Sequence, residues 1–311
     1  MSRQVDEAMS PAAAAHEAAG CGSVMAPRAA DPALPFTEDH LLGGRVGYAQ
    51  PRHGFRSGIE PVLLAAAVPA RPGERVLEGG TGAGAGLLCL AARVRGIQGV
   101  GIERDATIAA LARRNALANG WDRLSFVVAD VERWDVRGAD AQGSGTGSAD
   151  MEGRAGRQKS VHIDPACGGE TLVPTGFDHA FANPPYHPEG GTASPLRALE
   201  AAKRRHGSLL TDWTAALAAG LRHRGTLTLI LPAEALPQTL AAMQAARCPA
   251  RAVLPLWPKS GMAAKLLLVQ GVKGGRSPLR LLSGLTLHAA DGRFTPEAEA
   301  ILRDAAPLSL A

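Results

Sequence analysis

The 311 residues suffice for one large domain or two modest ones, each with an ample core. The net charge of +4 is uneven, with 15 Lys/Arg against 7 Asp/Glu in residues 196–311, a basic balance compatible with a phosphate-bearing partner. Scattered Cys21, Cys89, Cys167 and Cys248, no membrane-length apolar run and an acidic start (Asp6, Glu7) argue against a disulfide framework, a zinc site, a membrane span and export, so the expected location is the cytoplasm.

Residues 1–34 are rich in Ala, Pro and Gly without periodicity and read as a disordered tail, with the ordered domain spanning 35–311. Leu41 to Gln50 has strand character broken by glycines. A loop bearing Arg52 and Arg56 follows, and Pro61 then opens the apolar helix VLLAAAV, since proline at a first turn gives up no hydrogen bond. Next comes a strand–loop–helix unit: strand Arg75 to Glu78, a loop with Gly80, Gly82 and Gly84, and a helix from Leu87 to Val94. Glycines let that loop turn sharply and let a ligand approach its backbone. The second strand, Gly99 to Glu103, ends in an acid about twenty residues past the glycines, where a carboxylate can grip ribose hydroxyls. A helix from Ala106 to Asn119 and a third strand, Leu124 to Ala129, closed by Asp130, complete the first half.

From about 138 to 176 the composition turns Gly-, Ser- and Asp-rich, which reads as a disordered insertion whose deletion (140–174) is expected to be tolerated. His162, Asp164 and Cys167 within it match no metal-ligand spacing, and no metal is expected. The fourth strand, Phe177 to Ala182, runs into Asn183-Pro184-Pro185-Tyr186. Two prolines stop a strand, because neither donates to a ladder and each biases its predecessor to an extended shape. The turn therefore holds an amide, ring-fixed carbonyls and an aromatic face together. An amide oxygen and a carbonyl can accept both hydrogens of a planar amine while a tyrosine stacks on the group carrying it.

Beyond this turn lies the segment Leu196 to His206, with the basic cluster Lys203-Arg204-Arg205-His206. A helix is expected from Thr211-Asp212-Trp213 to about His223, capped by Thr211 or Asp212. Then follow strand Gly225–Leu231, helix Glu234–Ala246, strand Ala252–Trp257, the loop Pro258–Gly261 and strand Ala264–Val272. The segment Leu279 to Leu287 and a helix from Pro296 to Ala305 close the chain as trimming on the same domain. Alternating strands and helices imply an α/β layered sheet with crossovers. Ligands of such sheets bind beyond the carboxyl ends of the strands, where Glu78, the glycines, Glu103, Asp130 and Asn183 converge. The loop also satisfies the dinucleotide pattern G-x-G-x-x-G/A, so an NAD-dependent oxidoreductase is a reading of another class.

Glu78 to Gly84 as E-x-G-x-G-x-G, then Glu103, Asp130 and NPPY, resemble the ordered motifs of class I S-adenosylmethionine-dependent methyltransferases of the amino-methylating branch. "GFRSGIEPVLLAA" before the loop and "WPKSGMAAK" after it are similar to the bacterial valine tRNA adenine-N(6) methyltransferase family, over roughly 36–136 and 177–305. Glu60 and Glu78 stand where relatives often have Asp; both keep the carboxylate. The resemblance implies a doubly wound, mostly parallel seven-stranded sheet with helices on both faces, and S-adenosylmethionine as cofactor. It implies Gly80, Gly82 and Gly84 beside the cofactor, Glu78 near its cationic end, Glu103 on the ribose and Asp130 on the adenine amine. Asn183 and the Pro184 carbonyl would hold the target amine and Tyr186 would stack on a flipped base. Arg52, Arg56, Lys203, Arg204, Arg205 and Lys259 are the candidates for contact with tRNA. Trp213 and Trp257 are assigned to the core. Release-factor glutamine, ribosomal-RNA guanine and DNA adenine methyltransferases share the NPPY signature, which leaves substrate and oligomeric state open.

Overall fold

The structure is a computed structural model and describes residues 35–53, 56–132, 175–185 and 209–311. The expected tail (1–34), Tyr186, the segment 196–206 and the insertion up to 174 lie outside the described residues. Thr175 and Gly176 do not belong to that insertion, for the Thr175 carbonyl accepts from Arg75 and the Gly176 N–H donates to Gly220.

Strands β1 (Phe36–Leu41) and β2 (Val46–Pro51) form an antiparallel hairpin. The glycines expected to interrupt one strand instead build its turn: Gly43 and Gly44 have φ of 62° and 96°, values that cost glycine nothing. α1 (Glu60–Ala67) follows with Pro61 in its first turn. Then come β3 (Arg75–Gly79), α2 (Ala85–Arg93), β4 (Gln98–Glu103), α3 (Ala106–Ala118), β5 (Leu124–Val128) and β6 (Phe177–Ala182). Helix α4 covers residues 209–220 and leads directly into β7 (Leu221–Pro232). The rest is α5 (Leu236–Ala245), β8 (Ala250–Lys259), β9 (Leu266–Val272), β10 (Arg280–Leu281), β11 (Leu285–His288) and α6 (Pro296–Asp304).

The main sheet has the order β10-β8-β9-β7-β6-β3-β4-β5, with β11 also on β8. β7, β6, β3, β4 and β5 are mutually parallel, and β9 enters antiparallel between β7 and β8. The seven expected strands are β3 to β9. The segment taken as trimming adds β10 and β11, making nine. An all-parallel dinucleotide fold has no antiparallel strand at β9's position, so the topology departs from the oxidoreductase reading. Leu63, Leu64, Leu87 and Leu88 fill one face of the sheet, while Trp213, Leu217 and Met243 fill the other. Each such fully buried side chain is worth roughly 1.5–3 kcal/mol.

Three boundaries differ from expectation. Residues 209 and 210 are already helical, so Thr211 and Asp212 are not caps. The helix also ends by residue 220, because β7 begins at Leu221 and pairs it with Phe177. Strand pairing overrides the helical run LRH. Pro258 and Lys259 likewise extend β8 rather than form a loop.

Candidate cofactor and amine site

The chain reverses its direction across the sheet between β3 and β6. β3 leads outward to β4 and β5, and the chain then returns to β6 on the other side of β3. Ligands bind at such a switch point, beyond the carboxyl ends of the strands. Strand register brings the site together there. Gly79 is level with Ala182 on one side and Ile102 on the other. Gly80 and Asn183 are the first residues beyond the ends of β3 and β6, and Glu103 is the last of β4. Glu103 is level with Val128, which puts Asp130 two residues further out. The Ala129 N–H donates to the Glu103 carbonyl at 3.0 Å and ties the two strand ends together.

The loop after β3 is held from below and from the side. Gly80, Gly82 and Gly84 have φ of 63°, 56° and 93°, all in the left-handed region. A side chain at Gly80 would run into the Trp213 ring at 2.5 Å, whereas Gly82 faces open space. The Gly82 N–H donates to Glu103 Oε2 and the Asp105 N–H to Oε1, both at 3.0 Å. Those bonds orient the Glu103 carboxylate and leave lone pairs for hydroxyl donors. Asp130 is half-buried, and its Oδ1 accepts from the Glu132 N–H at 3.0 Å. Asn183 is half-buried at the mouth, Pro184 is buried and Pro185 is exposed.

Glu78 lies beneath the loop. It is buried, and its Oε2 accepts from the Thr81 hydroxyl at 2.5 Å and the Leu87 N–H at 3.1 Å. A methyl group at Gly86 would overlap this carboxylate, so glycine there makes room for it. Glu78 thus fastens the loop to the first turn of α2 through the Leu87 N–H. Burial pushes its carboxyl up to about 8, against the pull of its two hydrogen bonds.

Two residues that sequence reasoning did not single out organise the surroundings. Asn115, buried on α3, accepts from the Ala49 N–H at 2.9 Å and donates to the carbonyls of Ala49 (2.8 Å) and Ala83 (2.9 Å). One turn on, Asn119 repeats the pattern on Gly47, accepting at 3.0 Å and donating at 2.8 Å. The i, i+4 spacing on a helix matches the alternate residues of a strand edge. The two amides therefore finish the free edge of β2 and tie it to the glycine loop. The only sequence signal is the N-x-x-x-N spacing. Nearby, Tyr48 Oη lies 2.8 Å from Ser57 Oγ, and desolvation pushes the phenol up to about 12.

Three of the six candidate RNA contacts, Arg52, Arg56 and Lys259, lie among the described residues. Arg56 is engaged with Asp39 at 3.0 Å and Thr37 at 2.9 Å, and Arg52 is exposed at the end of the hairpin. Lys259 lies at the end of β8, three strands from β6. Lys203, Arg204 and Arg205, like Tyr186, fall outside the described residues. Trp213 is in the core as expected, although its buried Nε1 has no partner among the described residues. Trp257 is not: it is half-exposed and lines a surface groove. His179 is buried at the opposite edge, between Thr226 (2.8 Å) and Glu74 (2.9 Å). Among the described residues no cluster of His, Cys, Asp or Glu could hold a metal ion, and no helix could cross a membrane.

The crevice fits S-adenosylmethionine. It offers an open backbone at Gly82, an oriented carboxylate at Glu103 one strand away and a second acid at Asp130. Residues 61–135 match the family model of protein-L-isoaspartate(D-aspartate) O-methyltransferase. A solved structure described as a predicted O-methyltransferase from Agrobacterium tumefaciens superposes with a TM-score of 0.57 at 23% identity, covering 80% of this chain and 98% of its own. The fold and the site define a class I S-adenosylmethionine-dependent methyltransferase. Within that class the chain is similar to the tRNA1(Val) (adenine(37)-N6)-methyltransferase of Actinobacillus succinogenes, 26% identical over 251 residues, 79% of this chain and 88% of the relative. It is also similar to the Klebsiella pneumoniae enzyme of the same name, 34% identical over 103 residues, 28% of this chain and 42% of that relative.

Proposed function

We propose that this protein methylates an exocyclic adenine amine of tRNA. The observation that carries the reading is the station of Asn183: directly after Ala182, which is level with Gly79 at the switch point, half-buried, and followed by two prolines. A side-chain amide there suits an amine better than a hydroxyl or carboxylate, because its oxygen accepts an N–H while the Pro184 carbonyl accepts the other. The isoaspartate family model supports only the cofactor half of the reading, since its match ends at 135, before β6. The tRNA relatives support the amine half, and the match to the Actinobacillus enzyme extends over most of the chain.

When bound, the cofactor supplies a methyl group on a sulfonium. Gly80, Gly82 and Gly84 would accommodate it, Glu103 would orient the ribose and Asp130 would accept from the adenine amine. Asn183 and the Pro184 carbonyl would turn the lone pair of the target amine toward the methyl, and Tyr186 would stack on the extruded base. Transfer forms the N–C bond as the S–C bond breaks, and the methylated amine loses its proton to solvent. Positioning of this kind is worth on the order of 7–11 kcal/mol. No general base is needed.

The test is transfer of labelled methyl groups from S-adenosylmethionine to bulk unmodified tRNA, followed by digestion to nucleosides. Labelled methyladenosine is the expected product. Label in protein alone would shift the assignment to glutamine methylation, and labelled methylguanosine to a guanine amine. Asn183→Ala is expected to keep cofactor affinity within about twofold and to lower transfer by about a hundredfold or more, the scale of losing one oriented contact to the reacting group. Equal loss of binding and transfer would remove Asn183 from the amine site.

A further inference from the structure

The outer end of β8 carries a groove that the methyl-transfer site does not use. It is a cavity of about 510 Å³ lined by Trp257, Ser260, Gly261, Met262, Ser283 and Thr286. β8 runs parallel to β3, so this end lies on the same edge of the sheet as the crevice. From Asn183 it is three strand spacings across and about three residues further out, on the order of 17 Å.

The indole is fixed before any ligand arrives. Its Nε1 donates to the Ser283 carbonyl at 3.0 Å. The backbone of Gly284, at φ 91°, passes so close that any side chain there would overlap the ring. Met262 is 48% exposed at the same groove. Along the chain, residues 235–290 hold seven Lys/Arg and no Asp or Glu, and Glu234 just before them adjoins Ala233, whose N–H donates to the Lys265 carbonyl at 3.0 Å. Of the seven, Lys259 reaches only a carbonyl, that of Ala290 at 3.3 Å, and Lys265 is exposed at the start of β9. The next acid, Asp291, faces Arg293 at 3.9 Å.

A held aromatic ring with hydroxyls and lysines beside it has the makeup of a stacking site for an unpaired nucleobase and its phosphates. We propose that this groove is a second base subsite, in which Trp257 stacks on a nucleotide flanking the target and Lys259 and Lys265 hold its backbone. The inference rests on the reading that the substrate is RNA. It assigns the groove a part in choosing which adenine reaches Asn183, since both must be filled by one strand.

The experiment uses the intact protein and labelled unmodified tRNA, with binding followed by fluorescence anisotropy and methyl transfer measured alongside. Trp257→Ala is expected to weaken tRNA binding about 5- to 140-fold, the range for loss of one base stack. It should raise KM with little change in kcat and leave cofactor affinity unchanged. Trp257→Phe, which keeps a stacking face, should recover most of the binding. Met262→Asp, on an exposed side chain, places a negative charge in the groove and should weaken binding even if Trp257→Ala folds poorly. Wild-type tRNA affinity in both Met262→Asp and a folded Trp257→Ala would overturn the subsite while leaving the methyltransferase reading intact. A wild-type protein that methylates protein but binds and methylates no RNA would overturn both.

Discussion

Asn115→Ala removes the amide that joins α3, β2 and the glycine loop. Three hydrogen bonds of 2.8–2.9 Å are lost, and they leave one N–H and two carbonyls without partners in a buried position. A typical bond contributes about 0.5–1.5 kcal/mol net, and each orphaned buried group costs about 1–3 kcal/mol. Allowing for water entering the space, the expected loss is about 3–5 kcal/mol, a large part of the roughly 5–15 kcal/mol that holds a domain together. Asn115→Asp keeps the shape but sets an acceptor against the carbonyls of Ala49 and Ala83. It should be as damaging at neutral pH and partly recover in acid, where a protonated carboxyl can donate one bond. Asn119→Ala, on the exposed end of the same ladder, should cost only about 1 kcal/mol. Urea unfolding of the cofactor-free variants measures all three, and calorimetric titration with S-adenosylmethionine should show weaker binding for both Asn115 variants because the Ala83 carbonyl is released. A loss below about 1 kcal/mol for Asn115→Ala, or equal losses at 115 and 119, would refute the ladder as the link between hairpin and loop.

Two further outcomes follow from the buried groups. The Glu78 carboxyl is raised from 4.5 to about 8, so the folded protein holds a proton that the unfolded chain releases between those values. Its stability contribution is complete below the unfolded pKa and is lost as pH rises through about 8. Thermal melts of the cofactor-free protein should fall from pH 5 to 8 more steeply in wild type than in Glu78→Gln; parallel curves would show that Glu78 is ionised in the folded state. Trp213→Phe removes a buried N–H that has no partner among the described residues. Its melting temperature should stay level or rise slightly, unlike most trimming of a core aromatic, and a drop of several degrees would reveal a partner for that N–H.

The local elements of the site were legible in the chain because they are written in residue types with narrow backbone preferences. Glycines at 80, 82 and 84 do adopt left-handed φ, and the strand Phe177–Ala182 stops where the prolines begin. The segments read as strands at 75–78, 99–103, 124–129, 177–182, 225–231, 252–257 and 264–272 likewise coincide with β3 to β9. What could not be read was any contact between segments distant in sequence. The bonds from Asn115 to Ala49 span 66 residues, and nothing local distinguishes it from any other polar helix position. Glu78 carries the acid that the pattern required, but only packing against Thr81, Leu87 and Gly86 shows that it faces inward and keeps its proton. Trp257 reads as core by composition, and only the passage of Gly284 shows that the ring is pinned at a surface groove. Helix α4 ends by residue 220 because β7 pairs with β6, a choice made by a neighbouring strand rather than by helix propensity. By itself the sequence determined which backbone shapes were available and in what order they occur. Burial, register and the pairing of polar groups across the chain are properties of the assembled sheet. They decided which carboxylate is buried, which amides bridge segments and which aromatic ring is left facing a groove.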